Sequence, residues 1–274
     1  MPSIKERLKY ASKRIECVAQ NPYKEALTLL AFSLHVEPLW LMAHDSDDIE
    51  IPLDFFNNIK KRENHYPLEY ILKTTSFYSR EFYTDERVLI PRPETEILVD
   101  KVVSTCKAYK EPVIAEIGVG SGIVSIMLAT LLPSAEIFAT DISFDALKVA
   151  KINAKKHSVS NKIRFVNCNL IEKIDKKIDI LVSNPPYIKR GEELDKNLSY
   201  EPELALFGGE KGDEILKQII DEAVKREVQV LVCEMGYDQK DKIANHLKQY
   251  NLKADFYKDL AGFERGFIVK SLPR

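Results

Sequence analysis

The chain has 274 residues, of which 45% are hydrophobic and 30% are charged, as in an ordinary globular protein. Its net charge of −2 argues against binding of nucleic acid through many phosphates, although a local basic patch could hide in a neutral total. The four cysteines are scattered and form no C-x-x-C pair, so no metal site or disulfide framework is expected. A charged start without a signal-peptide core, and the lack of a long apolar run, lead us to expect a cytoplasmic protein without a membrane span.

Residues 1–73 have the pattern of a small helical domain. Ser3 and Glu6 have the spacing of a capping box, and apolar residues then recur at helical intervals. Asn21-Pro22 offers an N-cap followed by proline at the first helical position. Because this stretch carries neither a glycine-rich loop nor a cluster of ionisable residues, we expect a helical bundle that docks a substrate.

The pattern changes at the start of the next stretch, residues 74–93. Short β-like runs reach as far as Val88 and Ile90, which predicts a β-hairpin that links two domains. Pro93 favours a turn, and a helix is predicted from Glu94 to Ala108.

Residues 94–274 alternate between strands and helices. This alternation predicts an α/β domain with a doubly wound, mostly parallel, seven-stranded sheet of the Rossmann-like kind. The predicted strands cover residues 113–117, 136–140, 163–168, 178–183, 228–233, 253–257 and 266–270. The last two have only a short connection, so they should pair antiparallel.

A glycine loop lies between the first parallel strand and its helix. It consists of Gly118, Val119, Gly120, Ser121 and Gly122. Glycines permit a tight turn and a close approach of the backbone to a ligand, although a plain strand-to-helix turn has the same composition. Asp141 ends the next strand, where a carboxylate can accept hydrogen bonds from a ribose or merely cap the following helix. Together they indicate a nucleoside cofactor without separating NAD from S-adenosylmethionine.

The tetrapeptide Asn184-Pro185-Pro186-Tyr187 follows the fourth parallel strand and separates these cofactors. Its alternative interpretation is a proline-rich loop with no further role. As a site, the asparagine oxygen and the loop carbonyls would hold a planar –NH2 group, while the tyrosine covers its π face. A poorly nucleophilic amide or exocyclic amine needs such positioning to be methylated, whereas a nicotinamide enzyme has no use for it.

These motifs, taken together, resemble those of the HemK/PrmC family of protein-(glutamine-N5) methyltransferases. The residues that carry the resemblance are Pro67 to Ile71, Leu89 to Glu96, the glycine loop, Asn184 to Tyr187, Tyr200-Glu201-Pro202, Ala205-Leu206 and Gly208-Gly209. The resemblance implies the fold of a class I S-adenosylmethionine-dependent methyltransferase. It further implies that a methyl group goes to N5 of the glutamine in the Gly-Gly-Gln motif of class I peptide chain release factors, in support of translation termination.

The resemblance also assigns roles to individual residues. Gly118 to Gly122 would wrap the methionine part of S-adenosylmethionine, Asp141 would hold the ribose, and Asn169-Leu170 would border the adenine. Catalysis and acceptor binding would involve Asn184, Pro185, Pro186 and Tyr187, with Asn184 also bordering the cofactor. We expect a monomer that binds neither nucleic acid nor membrane directly.

Three positions depart from the family's usual pattern. Glu116 and Asn169 stand where aspartate is common, and Val119 stands where threonine is common. These departures affect expectations about the strength of cofactor binding, not the reaction class. The segment from Pro91 to Glu96 is open to two interpretations, a structural linker or a lid over the cofactor.

Two other functions stay open at this point. An amino-methyltransferase acting on adenine or cytosine of DNA or RNA would flip its base into the same site, formed by Asn184 to Tyr187. A non-catalytic interaction protein with a decayed cofactor pocket is the second, and the intact Asn184 and glycine loop argue against it.

Overall fold

A computed structural model describes residues 3–270 of the chain. The chain divides into two compact units. The first comprises the residues up to Thr74 together with Asp195–Tyr200, and the second comprises Thr75–Leu194 and the residues from Glu201 onward.

The first unit is a bundle of short helices. Its helices are α1 (Ile4–Arg14), α2 (Pro22–Leu34), α3 (Pro38–Ala43), α4 (Leu53–Glu63) and α5 (Leu68–Leu72), with a 3-10 helix at Leu198–Tyr200. The predicted capping box is confirmed, since the Ser3 hydroxyl accepts from the Glu6 amide and the Glu6 carboxylate accepts from the Ser3 amide. Asn21 is also confirmed as an N-cap, accepting from the Lys24 amide at 3.1 Å.

The segment Asp195–Tyr200 belongs to the helical unit although it is distant in sequence. The Tyr200 hydroxyl donates to the Asn64 carbonyl at 2.8 Å, and its ring packs edge-on against Tyr66 with centroids 5.1 Å apart. The sequence pattern did not predict this packing, because nothing local to residues 195–200 indicates their partner.

The second unit begins with a hairpin, β1 (Thr75–Phe77) and β2 (Arg80–Phe82), followed by helix α6 (Thr95–Cys106). The prediction that β-like structure reaches Val88 and Ile90 is wrong, because the chain there is irregular. Both side chains are nevertheless buried. The Val88 amide closes a turn onto the Asp85 carbonyl, and the Ile90 amide donates to the Glu201 carboxylate instead of to a strand.

The rest of the second unit alternates between strands and helices. In chain order its elements are β3 (Val113–Ile117), α7 (Ile123–Leu131), β4 (Glu136–Asp141), α8 (Phe144–Lys156), β5 (Ile163–Asn167), β6 (Ile180–Ser183), β7 (Ile188–Lys189), α9 (Glu203–Leu206), β8 (Phe207–Gly209), α10 (Glu214–Lys225), β9 (Val230–Glu234), α11 (Lys240–Lys248), β10 (Ala254–Lys258) and β11 (Glu264–Lys270).

Seven of these strands form one sheet in the order β10-β11-β9-β6-β3-β4-β5. The strands β5, β4, β3, β6 and β9 are parallel, and β11 pairs antiparallel with both β9 and β10. The predicted doubly wound, mostly parallel sheet with antiparallel closing strands is thereby confirmed. Successive strand residues point to opposite faces, so Ile114 and Val182 join one buried cluster, while Ala115 and Leu181 join the other.

The sequence did not predict β7, β8 and α9. Each has only two to four residues, and β7 and β8 form a small parallel pair of their own. Elements this short carry too few residues for a periodic pattern, so only their pairing in the folded chain defines them.

Candidate active site at the carboxyl edge of the sheet

The site lies where the strand order reverses, between β3 and β6. Ile117 and Ser183 are paired at the carboxyl ends of these strands, and the Ser183 hydroxyl donates to the Ile117 carbonyl at 2.8 Å. Gly118 and Asn184 are the next residues of the two strands. The glycine loop and the tetrapeptide therefore leave the sheet side by side, at the crevice where open α/β sheets bind ligands.

The glycine loop is shaped by its backbone. Gly118 and Gly120 have φ angles of +72° and +52°, which favour glycine, and a Cβ on either would meet no atom within 4 Å. The amides of Gly118 and Val119 both donate to the Thr140 carbonyl at 2.9 Å. These bonds tie the loop to β4 while its open side faces a cavity.

Gly122 has a different function from the other two glycines. Its φ is +88°, and an added Cβ would lie 3.1 Å from Ala150 and from the Ile126 side chain. It does not line the cavity. Gly122 thus permits close packing of α7 against α8, whereas Gly118 and Gly120 leave room for a ligand.

Asp141 serves both the loop and the following helix. Its Oδ2 accepts from the Gly120 amide at 2.9 Å, and its Oδ1 accepts from the Ser143 amide at 2.8 Å. Burial raises the pKa of Asp141, and these two amides counteract that rise. The carboxylate lines the cavity, where each oxygen keeps a further lone pair for a ligand hydroxyl.

Glu116 is buried beneath the glycine loop. Its carboxylate accepts from the Ser125 amide at 2.9 Å and from the Ser125 hydroxyl, in the first turn of α7. Burial raises the pKa of Glu116 to about 8. The residue is therefore mostly protonated at neutral pH, and its departure from aspartate lengthens the side chain that reaches α7.

A cavity of about 280 Å³ opens at this edge, near the lower end of the size of small-molecule sites. Ten of the predicted site residues line it: Gly118, Val119, Gly120, Ser121, Asp141, Asn169, Leu170, Asn184, Pro185 and Pro186. Two predicted site residues, Gly122 and Tyr187, do not line it. The cavity thus brings most of the predicted cofactor residues and Asn184 together within the second unit.

Asn184 is held by residues far away in sequence. Its Nδ2 donates to the Thr95 hydroxyl at 3.0 Å, and that hydroxyl donates to Glu234 Oε2 at 2.9 Å. Thr95 and Glu234 are each 1% exposed, whereas Asn184 is half-buried and lines the cavity. Burial raises the pKa of Glu234 to about 7. The amide of Asn184 is consequently anchored through its nitrogen.

Tyr187 turns away from the cavity. Its hydroxyl lies beside Glu234 and Arg265, and burial raises its pKa to about 12. Its backbone carbonyl accepts from the Gln239 side chain at 2.9 Å, and Gln239 also donates to the Gly212 carbonyl at 2.9 Å. These bonds fasten the end of the tetrapeptide to the loop that precedes α10.

The backbone of the tetrapeptide also packs closely against Gly208 of β8. A Cβ on Gly208 would lie 2.6 Å from the Pro186 carbonyl oxygen and would overlap the Gly212 carbonyl. This close approach is the physical reason for glycine at position 208. Gly208 therefore supports the tetrapeptide loop.

The segment before α6 forms one wall of the cavity. Pro91, Arg92 and Thr95 all line it. Arg92 forms a 2.5 Å ion pair with Glu201, whose carboxylate also accepts from the Ile90 amide at 2.9 Å. The segment is thus both a wall of the cavity and an anchored connection within the second unit.

Among residues 3–270, no group of three or more His, Cys, Asp or Glu side chains could hold a metal ion. Within the same range, no helix is both long enough and apolar enough to span a membrane.

Comparison with known proteins agrees with this geometry. Residues 6–72 match the model of the PrmC N-terminal domain, and residues 93–201 match that of the methyltransferase small domain. The release factor glutamine methyltransferase of Aquifex aeolicus is 32% identical over 273 residues, which cover 97% of this chain and 96% of that protein. That of Buchnera aphidicola is 30% identical and covers 96% and 97%, respectively. The chain belongs to the release factor glutamine methyltransferase family.

Other relatives of this chain are longer proteins. The bifunctional methyltransferase of Rickettsia typhi is 35% identical over 292 residues, covering 96% of this chain but 56% of that protein. The chain therefore spans about half the length of the first curated relatives it matches.

Solved structures resemble the fold of about 70% of the chain. The ribosomal protein L11 methylase of Lactobacillus delbrueckii superposes with a TM-score of 0.51 at 21% identity, covering 69% of this chain and 84% of that one. The human methyltransferase 10 domain containing protein gives 0.53 at 15% identity, covering 72% and 90%. These two structures confirm the predicted fold. The family matches confirm the predicted resemblance.

Several residues of the site in this family member were not singled out from the sequence. Thr95 lies in the segment from Leu89 to Glu96, but a threonine at the start of a helix does not indicate a distant partner. Phe207, Ile215 and Gln218 line the cavity from β8 and α10, and their sequence context is that of an ordinary strand and helix.

Proposed function

We propose that this chain transfers the methyl group of S-adenosylmethionine to N5 of the glutamine in the Gly-Gly-Gln motif of peptide chain release factors. The observation that carries the proposal is the position of Asn184, which borders the cavity beside the glycine loop with its amide nitrogen bound to Thr95. Its oxygen is the atom that would meet the acceptor amide. The names of the full-length relatives support the choice of substrate.

The cavity fits the cofactor by the chemistry of its walls. The open faces of Gly118 and Gly120 would accommodate the methionine part, and Asp141 would accept from the ribose hydroxyls. Leu170 would pack on the adenine, and Asn169, whose nitrogen donates to Glu172 at 3.0 Å, would offer its oxygen to the adenine amine. When bound, S-adenosylmethionine supplies an electrophilic methyl group on a sulfonium.

The acceptor amide would be held by two oxygens, Oδ1 of Asn184 and the carbonyl of Pro185. An amide nitrogen is a weak nucleophile because its lone pair is delocalised into its own carbonyl. Accepting both of its N–H hydrogens raises the electron density on the nitrogen and aims it at the methyl group. The same contacts stabilise the positive charge that develops in the transition state. No side chain needs to remove a proton beforehand, since the nitrogen would become acidic only as it is alkylated. It would then lose one proton to solvent, and the sulfonium would be left as a neutral thioether.

Tyr187 has a supporting role in this proposal. Its ring lies outside the cavity wall, and its backbone carbonyl is bound to Gln239. It would keep Pro185 and Pro186 in place and reach the acceptor only from the side.

We assign residues 1–73 to docking of the release factor, residues 74–93 to a linker and residues 94–274 to the methyltransferase domain. Class I release factors are the proposed partners of a cytoplasmic monomer that needs no direct contact with nucleic acid or membrane. Size-exclusion chromatography with light scattering, alone and with a release factor, tests the stoichiometry.

The decisive experiment is mass spectrometry of a release factor incubated with the chain and S-adenosylmethionine. The expected product gains one methyl group on the Gly-Gly-Gln glutamine. A factor carrying Gly-Gly-Asn, whose amide is one methylene shorter, is the matched control and should stay unmodified. Methyl transfer to DNA or RNA, with none to the release factor, would establish the nucleic-acid alternative instead, and no transfer to any acceptor would favour the non-catalytic one.

A further inference from the structure

Thr95 lies between Asn184 and a buried acid. Its Oγ1 is 3.0 Å from Asn184 Nδ2 and 2.9 Å from Glu234 Oε2. The three residues come from α6, the loop after β6 and the end of β9, so the chain brings them together from 89 and 139 residues apart in sequence. A contact built over such distances is a feature of the fold and not of local sequence.

The orientation of the Asn184 amide decides whether the clamp can work. An amide group has an oxygen and an NH2 group of nearly equal size, so shape alone does not select one orientation. With the oxygen toward the acceptor, Asn184 accepts a hydrogen bond. With the NH2 group toward the acceptor, two donors face each other and the clamp is lost.

On the basis of the proposed function, we propose that Thr95 and Glu234 are positioning residues that hold the Asn184 amide with its oxygen toward the acceptor glutamine. A hydroxyl carries one hydrogen. When Thr95 donates that hydrogen to the Glu234 carboxylate, its oxygen can only accept from Asn184. The NH2 group of Asn184 is therefore drawn toward Thr95, and the amide oxygen faces the cavity.

The direction of this relay depends on Glu234 being a carboxylate. A protonated Glu234 can donate its own hydrogen to Thr95, which frees the threonine hydrogen to turn toward the Asn184 oxygen. That arrangement favours the unproductive amide orientation. Acidification should therefore weaken the hold of Asn184 on the acceptor by protonating Glu234, which does not itself line the cavity.

Several charged and titratable groups face Glu234. Arg265 from β11 favours its ionised form, whereas Glu94 at the start of α6 disfavours it. The Tyr187 hydroxyl hydrogen-bonds to it, and Tyr257 of β10 is also nearby. Burial is the largest influence and raises the pKa of Glu234 to about 7, so the carboxylate changes its charge near neutral pH.

The first test separates the hydroxyl from the bulk of Thr95. Thr95→Val removes the hydroxyl at nearly constant volume and should lower kcat by about 10- to 100-fold, because a misplaced clamp no longer orients the acceptor. Thr95→Ser keeps the hydroxyl and should restore most of the rate. Thr105→Val is the matched control, since Thr105 lies in the same helix and its hydroxyl donates within that helix, to the Lys101 carbonyl at 2.8 Å.

Methyl transfer is measured by single turnover and S-adenosylmethionine affinity by calorimetry. The proposal expects a loss of kcat in Thr95→Val with unchanged cofactor affinity. Equal rates in Thr95→Val and Thr105→Val would overturn it. So would a serine variant as slow as the valine variant, because the methyl group would then matter and not the hydroxyl.

The second test is the pH dependence of kcat. The wild-type rate should fall as the pH drops below about 7, the pKa of Glu234. Glu234→Gln should be slower and should lose this acid limb, since the glutamine does not titrate. An acid limb that persists unchanged in Glu234→Gln would contradict the proposed relay.

The third test does not require the proposed substrate. The side-chain NH2 resonances of Asn184, assigned by their absence in Asn184→Ala, should show a hydrogen-bonded proton in the wild type and lose it in Thr95→Val. Identical resonances in both would overturn the relay. If the wild type fails to methylate the release factor, the proposed function fails, and this measurement still decides whether Thr95 orients Asn184.

Discussion

The two loops at the carboxyl edge of the sheet are built in different ways. The glycine loop after β3 is held by its own backbone, which hydrogen-bonds to Thr140 and Asp141 of the neighbouring strand. The tetrapeptide loop after β6 is held by side chains from distant elements, Thr95 and Gln239. One loop offers open space beside its glycines, and the other offers a single oriented side chain.

This difference fits the ligand that the proposed function gives to each loop. A large cofactor can be gripped at many points, so backbone groups in a tight turn suffice. A small amide acceptor must be aligned by very few atoms, and each of these needs a fixed orientation. We therefore expect changes at the tetrapeptide to alter chemistry, and changes beneath the glycine loop to alter stability or cofactor binding.

The largest effect should come from Asn184→Ala. Losing the acceptor oxygen should lower kcat by about 10²- to 10³-fold, as for removal of one oriented group from a transition-state site. Cofactor affinity measured by calorimetry should change little. Asn245→Ala on the exposed face of α11 is the control and should match the wild type. If Asn184→Ala instead lost cofactor binding and kept a normal rate of methyl transfer, the tetrapeptide loop would not differ from the glycine loop in its role.

The next effect concerns the acid beneath the glycine loop. The pKa of Glu116 is raised by burial to about 8, above its ordinary value of 4.5, so the folded chain keeps a proton that the unfolded chain releases. Its contribution to stability is present below pH 4.5 and is lost as the pH rises through about 8. Glu116→Gln should therefore gain stability relative to the wild type over this window, on the order of 2–4 kcal/mol.

Urea denaturation at several pH values measures this difference. The exposed residue Glu193 provides the control, because Glu193→Gln should follow the wild type at each pH. A constant difference between Glu116→Gln and the wild type from pH 5 to 8 would show that Glu116 is ionised in the folded chain.

A smaller effect is expected at the anchored wall of the cavity. Arg92→Met removes the guanidinium that pairs with the buried Glu201 carboxylate and should lower the free energy of unfolding by about 2–3 kcal/mol. Arg190→Met removes an exposed ion pair, with Glu210 at 3.7 Å, and should cost less than about 0.5 kcal/mol. Equal losses in the two variants would mean that the Arg92 pair does not fasten this wall.

The smallest effect tests whether glycine is needed at position 122 for its positive φ alone or also for helix packing. Gly122→Ala should lower stability by about 2 kcal/mol, because both a positive φ and the contact with Ala150 oppose a Cβ. Gly262 also has a φ of +88° but nothing within 4 Å of an added Cβ. Gly262→Ala should therefore cost only about 1 kcal/mol. A similar loss at both positions would show that helix packing imposes no further requirement on Gly122.

Much of the fold could be predicted because its signals are local. The caps at Ser3 and Asn21 depend on residues three positions apart, and both form as expected. The long apolar strands are likewise defined by their own sequence. The irregular chain at Val88 and Ile90 was mistaken for strand, since a short buried segment has the same composition whichever partner it meets.

The sequence by itself determined the doubly wound sheet, the glycine loop and the position of Asn184 after a strand, because each depends on residues within a few positions of one another. Only the tertiary structure decided that Gly122 packs helices and that Tyr187 faces Glu234 instead of the cavity. It also decided that Thr95 holds Asn184. The physical reason is that a hydrogen bond across 89 residues exists only once the whole sheet has formed, and no local pattern encodes it.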